Sequence, residues 1–226
     1  MENRLATIAE NVANLRTVGF KAEAIDFDTV LSAHATDQVA FATVGDTFIE
    51  RRAGPMEPTG NPLDLAIAGG GYFGIETPSG RAYTRDGRLT ISATGDLMTL
   101  TGHPVLSDGG AGIAVDPAAG EVTIGLDGSI TQNGQNVGII GLFDLPANAE
   151  LTRVGDSAFR MAGEAEPVVD RVSNSIRQGF VENSNVNPVA ALHQLIVAQR
   201  SFEQAFNATG DREDALGRAL RELGAQ

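Results

Sequence analysis

The stretch Leu63-Asp-Leu-Ala-Ile-Ala-Gly-Gly-Gly-Tyr-Phe-Gly-Ile-Glu-Thr-Pro-Ser-Gly-Arg-Ala-Tyr-Thr-Arg-Asp-Gly87 decides how the middle of the chain folds. Leu63, Leu65 and Ile67 alternate with Asp64, Ala66 and Ala68, which gives one apolar face and one small or polar face, the period of a strand. Two turn dipeptides follow within the same stretch, Ser79-Gly80 and Asp86-Gly87. Downstream the punctuation continues at Thr94-Gly95, Thr101-Gly102, Asp127-Gly128 and Asn133-Gly134, each a place where glycine can reverse a strand. With 27 glycines in the chain and no long helical pattern over residues 63–143, an antiparallel β-domain is predicted. Gly69, Gly71 and Gly74 also satisfy G-x-G-x-x-G, but a dinucleotide fingerprint requires a helix opening at the glycines within a parallel βαβ unit. Here the chain runs into another turn and strand, so these glycines read as a tight bend beside Tyr72 and Phe73.

The two ends follow a different grammar. Leu5, Ile8, Val12 and Leu15 step by three and four residues, which predicts an N-terminal helix ending near Thr17, with Gly19 as the left-handed closing residue and Phe20 packing back. Asn11 and Asn14 fall on its polar side. At the other end, Asn187 and Pro188 read as the cap and first residue of a second helix. From there Leu192, Leu195, Gln199, Phe202, Phe206, Thr209, Glu213, Leu216, Leu220 and Leu223 form a heptad seam, with Gly210 and Gly217 weakening it. A helix of that length measures roughly 50 Å, longer than a small β-domain is wide, so it must project. Neither stripe is stable in water without a partner surface. Self-assembly residues are therefore predicted at Leu5, Ile8, Val12, Leu15, Leu192, Leu195, Gln199, Phe202, Phe206, Leu216 and Leu220.

Composition narrows the function class. The 226 residues are 42% hydrophobic, enough for an ordinary core. A net charge of −13 opposes binding to a phosphate backbone, so nucleic acid is excluded as an expected partner. The absence of cysteine removes disulfides, thiol nucleophiles and thiolate metal sites. No run of apolar and glycine residues, 137–143 among them, approaches the roughly 20 residues that span a bilayer. The start, with Glu2 and Asn3, lacks the basic and then apolar profile of a cleaved secretory signal. The chain is expected to be cytosolic or to leave the cell by a route that uses no such signal.

Chemical sites fare poorly. His34, His103 and His193 share no ligand spacing, so no metal is expected. Asp86 and Asp96 are a conceivable acid–base pair, yet both lie next to glycine in turns, where aspartate serves local hydrogen bonding. No nucleophile elbow occurs. Neither an enzyme nor a cofactor is expected.

Several blocks resemble a known family. Leu5-Ala-Thr-Ile-Ala-Glu-Asn-Val-Ala-Asn-Leu-Arg-Thr-Val-Gly-Phe-Lys21 is similar to the N-terminal signature of flagellar basal-body rod and hook proteins. Thr59-Gly-Asn-Pro-Leu-Asp-Leu-Ala-Ile67, Gly71-Tyr-Phe73, Tyr83-Thr-Arg-Asp-Gly87 and Gly95-Asp-Leu97 resemble its central block. Ser184-Asn-Val-Asn-Pro-Val189 and Gln199-Arg-Ser-Phe-Glu203 resemble its C-terminal signature. Within the family, the short length and Asn187-Pro188-Val189 favour proximal-rod members over the hook protein and the distal-rod type. The resemblance implies a structural subunit of a rod that crosses the periplasm and transmits torque. It also implies export through the flagellar type III apparatus without a cleaved signal, and partnership with further copies and adjacent rod proteins. Family members usually carry another stretch of helix before the asparagine signature. Met1 falls inside that expected helix, so the start lies upstream, the chain is truncated, or the protein assembles with a shorter helix.

The resulting expectation is an α+β fold, an antiparallel β-domain between N- and C-terminal helices that pair in a coiled-coil-like assembly region. Residues 1–20 form the first helix, 21–55 an extended connecting arm, 56–165 the β-domain, 166–186 a return segment and 187–226 the second helix. The alternative from another class is a β-module that binds an envelope polymer, with the helices as supports.

Overall fold

The computed structural model describes residues 2–31, 40–155, 157–201, 203 and 204. Phe202, Phe206, Leu216 and Leu220 of the predicted seam, and His34, lie outside the described residues. The fold is mostly antiparallel β with a helix near each end. It divides into two compact units. One holds the described residues of Met1–Ala13, Glu23–Thr47 and Val186–Gln226, and the other holds those of Asn14–Ala22 and Phe48–Asn185.

The second unit contains the β-structure that the glycine punctuation predicts. Its main sheet orders six antiparallel strands as Leu151–Gly155, Ala158–Met161, Gly80–Thr84, Tyr72–Thr77, Leu142–Asp144 and Glu166–Pro167. Around it lie a three-stranded sheet and short two-stranded ladders, among them Ser175–Gln178 with Leu65–Ala68 and Phe180–Glu182 with Met56–Pro58. Asn133 and Gly134 adopt positive φ values of 51° and 74° and close a two-residue hairpin between Gln132 and Gln135, the mirror-image turn that matches strand twist. The core is fully enclosed. Leu65, Phe73, Leu97, Ile130, Leu142 and Ile176 share one apolar cluster and expose none of their surface.

Two details depart from the alternation read in the sequence. Ala66, expected on the polar side of its strand, is as buried as Leu65. Its small size reflects close packing, not solvent. Asp86-Gly87 is also a different device from the other turn dipeptides, since Gly87 has no positive φ. A Cβ added there would lie 2.0 Å from the Leu65 carbonyl oxygen, because the Leu65 N–H donates to the Gly87 carbonyl at 2.9 Å and holds the two backbones together.

In the first unit, the N-terminal helix spans Glu2–Ala13. The segment expected as a connecting arm carries strands Glu23–Leu31 and Ala40–Ile49, which pair as a two-stranded sheet. The second helix begins at residue 188, and its described part reaches 204. Its start is capped as the sequence predicts, with the Asn187 Oδ1 accepting from the Val189 and Ala190 amides, both at 3.1 Å.

Gly87→Ala is expected to lower unfolding stability by about 2–4 kcal/mol, because the added methyl meets a backbone oxygen fixed in a ladder. Gly112→Ala, where nothing lies within 4 Å of the added Cβ, is the control. Urea denaturation of the two variants measures the difference.

Candidate functional site: where the two chain ends are held

The assembly residues predicted at the N-terminus are not equivalent in the structure. Leu5, Ile8 and Val12 lie on the helix, with Ile8 buried and the other two half-buried. The helix stops at Ala13, four residues before the predicted end, so Leu15 sits in the following turn and off the helical stripe. Gly19 does take a left-handed φ of 70°, but it does not close the helix. It brings the backbone against another part of the fold: a Cβ at this position would lie 2.3 Å from the Asp86 amide nitrogen. Asn11, read as a polar-face residue, clasps the start of strand Glu23–Leu31. Its Nδ2 donates to the Glu23 carbonyl at 2.7 Å and its Oδ1 accepts from the Glu23 amide at 2.9 Å.

On the second helix, Leu195 is half-buried, whereas Leu192 and Gln199 are exposed. Ala191 is buried and Ala198 half-buried on the same side as Leu195. The opposite side carries Val189, Leu192 and Ile196, which are 79%, 47% and 51% exposed. Spaced at i, i+3 and i+7, they form a second apolar stripe.

The densest polar arrangement lies inside the β-rich unit, where three sequence blocks far apart in the chain converge. Strand Phe180–Glu182, held by its ladder with Met56–Pro58, carries the Glu182 carboxylate inward. Glu182 Oε1 accepts from the Lys21 ammonium and from the Gly54 amide at 3.0 Å. Its Oε2 accepts from Arg85 Nη1 at 2.8 Å. Lys21, Arg85 and Glu182 are 0%, 3% and 1% exposed. Two further donors find backbone carbonyls, while the Arg85 Nε is buried without a hydrogen-bond partner. Lys21 Nζ donates to the Arg52 carbonyl and Arg85 Nη2 to the Gly69 carbonyl, both at 2.9 Å, while the Arg85 guanidinium lies 5.0 Å from the centre of the Tyr72 ring.

Backbone contacts bind the same two segments. The Gly19 amide donates to the Glu182 carbonyl at 2.7 Å and the Asn185 amide to the Phe20 carbonyl at 3.3 Å. The Asn185 side chain adds three bonds, accepting from the Ala22 amide at 2.6 Å and donating to the Glu50 and Arg52 carbonyls, both at 2.9 Å. Arg153 stacks over Phe20 at 4.4 Å and donates to the Lys21 carbonyl at 2.9 Å. Ser157 Oγ donates to the Val18 carbonyl at 3.0 Å. Residues 18–22 and 182–185, which lie in this unit's Asn14–Ala22 and Phe48–Asn185 pieces, are thus tied to each other and to the sheet.

The electrostatics follow from burial. Removal from water would raise the Glu182 carboxyl, but the Arg85 and Lys21 cations outweigh it and hold the pKa below the ordinary 4.5. Burial pulls the Lys21 ammonium below its ordinary 10.5 despite Glu182. The carboxylate is therefore the hub. Lys21, Arg85 and Asn185 lie within the signature blocks, where no sequence pattern marks their role, and Glu182 lies outside every block. Asp86 and Asp96, weighed as acid–base candidates, serve locally: Asp86 pairs with Arg88 at 2.6 Å, and Asp96 accepts from Thr94 Oγ1 at 2.6 Å.

Glu182→Gln leaves two buried cations without an anion and is expected to cost about 3–5 kcal/mol at pH 7. Lys21→Met, which leaves the Arg85 pair in place, is expected to cost less. Because the folded Glu182 pKa is depressed, the unfolded chain binds that proton first as pH falls. Its contribution is intact above about pH 4.5 and is lost as pH drops through the folded value. Thermal unfolding of wild type and Glu182→Gln from pH 7 to pH 3 checks this, and the variant's curve lacks that acid-dependent limb.

Comparison with known proteins accounts for the blocks that meet here. Residues 66–132 match the model of the flagellar hook protein FlgE/F/G D1 domain, and residues 177–210 match that of the flagellar basal body rod FlgEFG protein C-terminal region. The flagellar basal-body rod protein FlgF of Mesorhizobium japonicum is 43% identical over 226 residues, covering 100% of this chain and 94% of the relative. FlgF of Rhizobium meliloti is 41% identical, covering 99% and 93%. FlgF of Caulobacter vibrioides is 37% identical, again covering 99% and 93%. With end-to-end similarity of this degree, and with the matched regions supplying Arg85 and Glu182 to one buried cluster, the chain belongs to the flagellar basal-body rod protein family and is most like its FlgF members.

Proposed function

We propose that the chain is a structural subunit of the proximal rod, polymerising through its terminal helices into the axial shaft that transmits torque. The observation that carries this reading is the full-length similarity to basal-body rod proteins named FlgF. Physical support comes from the second helix, where the side with buried Ala191 and half-buried Leu195 and Ala198 is largely covered and the Val189, Leu192 and Ile196 side is left in water. A helix with two apolar sides is stable in a bundle, where neighbours cover both. Half-buried Leu5 and Val12, flanking the buried Ile8, supply the matching stripe of the first helix, and coiled-coil-like pairing of these faces among copies is the assembly step. Phe202, Phe206, Leu216 and Leu220 extend the seam in this reading.

The partners are further copies and adjacent rod proteins. Export proceeds through the flagellar type III apparatus without a cleaved signal peptide, and the assembled rod crosses the periplasm. Torque transmission requires no chemical step. Stiffness arises from many repeated helix contacts, each burying apolar area at about 25 cal/mol per Å².

Leu192→Asp tests the assembly face at low risk to the fold, because Leu192 is already half in water. Losing one leucine's burial is worth about 1.5–3 kcal/mol per interface, roughly a tenfold to hundredfold weaker association. The expected outcome is a folded variant absent from purified basal bodies, with loss of motility. Normal incorporation and swimming would remove Leu192 from the assembly surface.

A further inference from the structure

In the β-rich unit, residues 14–22 directly follow the N-terminal helix and Asn185 is the last residue before the C-terminal segment, and Ala22 and Asn185 are hydrogen-bonded to each other at 2.6 Å. They stand 163 positions apart in the sequence. In an unfolded chain that separation corresponds to an end-to-end distance on the order of 70 Å. Folding of the β-rich unit therefore brings residues 18–22, shortly after the N-terminal helix, against residues 182–185, and Glu182, Lys21, Arg85 and Asn185 hold them there. Nothing in a nearest-neighbour stretch of sequence does so.

We propose that this cluster is a registration clamp: it fixes the two terminal segments at one offset to each other, so that a complete assembly surface exists only on a subunit whose β-rich unit has folded. The proposal rests on the rod-assembly reading and adds a condition to it. Two amphipathic segments that must bury one another's apolar faces are sensitive to offset, because a shift of one or two residues rotates a helical stripe away from its partner by 100° per residue. Held side by side at their roots, they meet at the effective concentration of a short tether; released, they meet as ends of a long flexible loop. The clamp thus keeps unfolded chains, whose terminal stripes are already translated and apolar, from presenting the paired surface. Glu182, Lys21, Arg85 and Asn185 are positioning residues in this scheme and touch no partner.

The experiment inserts Gly-Ser-Gly-Ser between Asn185 and Val186, which leaves every clamp contact and the Asn187 cap in place but shifts the offset. The control is the same insertion between Gly163 and Glu164, an exposed turn where Gly163 has nothing within 4 Å of an added Cβ. Each protein is produced as the sole copy in flagellated cells, and its amount in purified basal bodies is compared with the melting temperature of the purified chain. The expected result is an unchanged melting temperature for both insertions, wild-type incorporation for the control, and at least about a tenfold drop for the insertion after Asn185. Asn185→Ala, which frees Ala22 without touching the charges, is expected to lower incorporation by more than its loss of stability accounts for. Incorporation of the Asn185 insertion at the control's level overturns the clamp while leaving the rod reading intact. Absence of the wild-type chain from basal bodies overturns both.

Discussion

A single carboxylate shut away from water, with two cations against it, is the constraint on which the rest of this structure depends. Charged groups at 0–3% exposure are expensive to place, each costing several kcal/mol of lost hydration. They persist because Glu182 offers Lys21 and Arg85 one oxygen each, and because Lys21 Nζ and Arg85 Nη2 also reach the Arg52 and Gly69 carbonyls. An apolar cluster would hold the same place with less desolvation. It would also tolerate sliding, whereas this network accepts only one alignment of three chain segments. The cost in hydration yields a unique geometry at the point where residues 18–22 and 182–185 converge.

The network also explains why the signature blocks sit where they do. Gly19 is needed because only a residue without a Cβ lets its backbone lie against Asp86, and that approach brings Lys21 to Glu182. Asn185 follows Glu182 by three residues and copies a strand partner with its side chain, accepting from one backbone amide and donating to two carbonyls. Asn11 does the same for Glu23 within the first unit. Amide side chains that imitate backbone close off exposed strand groups that would otherwise be left unpaired. A protein built to be polymerised benefits from such closure, since open strand edges invite pairing of the wrong kind.

Much of the β-architecture was legible because its signals are local. Period-two alternation, Asn133-Gly134 and the Asn187-Pro188 cap each act over a few residues, and the structure uses them as their chemistry dictates. The failures have the opposite character. The first helix ends at Ala13 because the chain is needed elsewhere, and Gly19 serves a tertiary approach that a helix-closing reading of the same residue does not reveal. Ala66 looks polar-facing in the sequence and is buried, and Gly87 looks turn-forming and is small because two backbones touch. Glu182 was invisible for a related reason. Its partner Lys21 lies 161 positions away, and a charge flanked by Val181 and Asn183 carries no pattern that distinguishes burial from exposure. The terminal stripes were readable as surfaces in need of a cover, but which side of the second helix remains open required coordinates.

Native-state amide hydrogen exchange at Gly19, Ala22 and Asn185 tests the central claim most directly, because these three N–H groups donate to Glu182, Asn185 and Phe20 across the junction. If the buried cluster locks residues 18–22 and 182–185 together within the β-rich unit, the three amides exchange only with global unfolding of that unit, at the same free energy as the Leu97 amide in its core. Exchange at Gly19, Ala22 and Asn185 through a local opening, orders of magnitude faster than at Leu97, would contradict it.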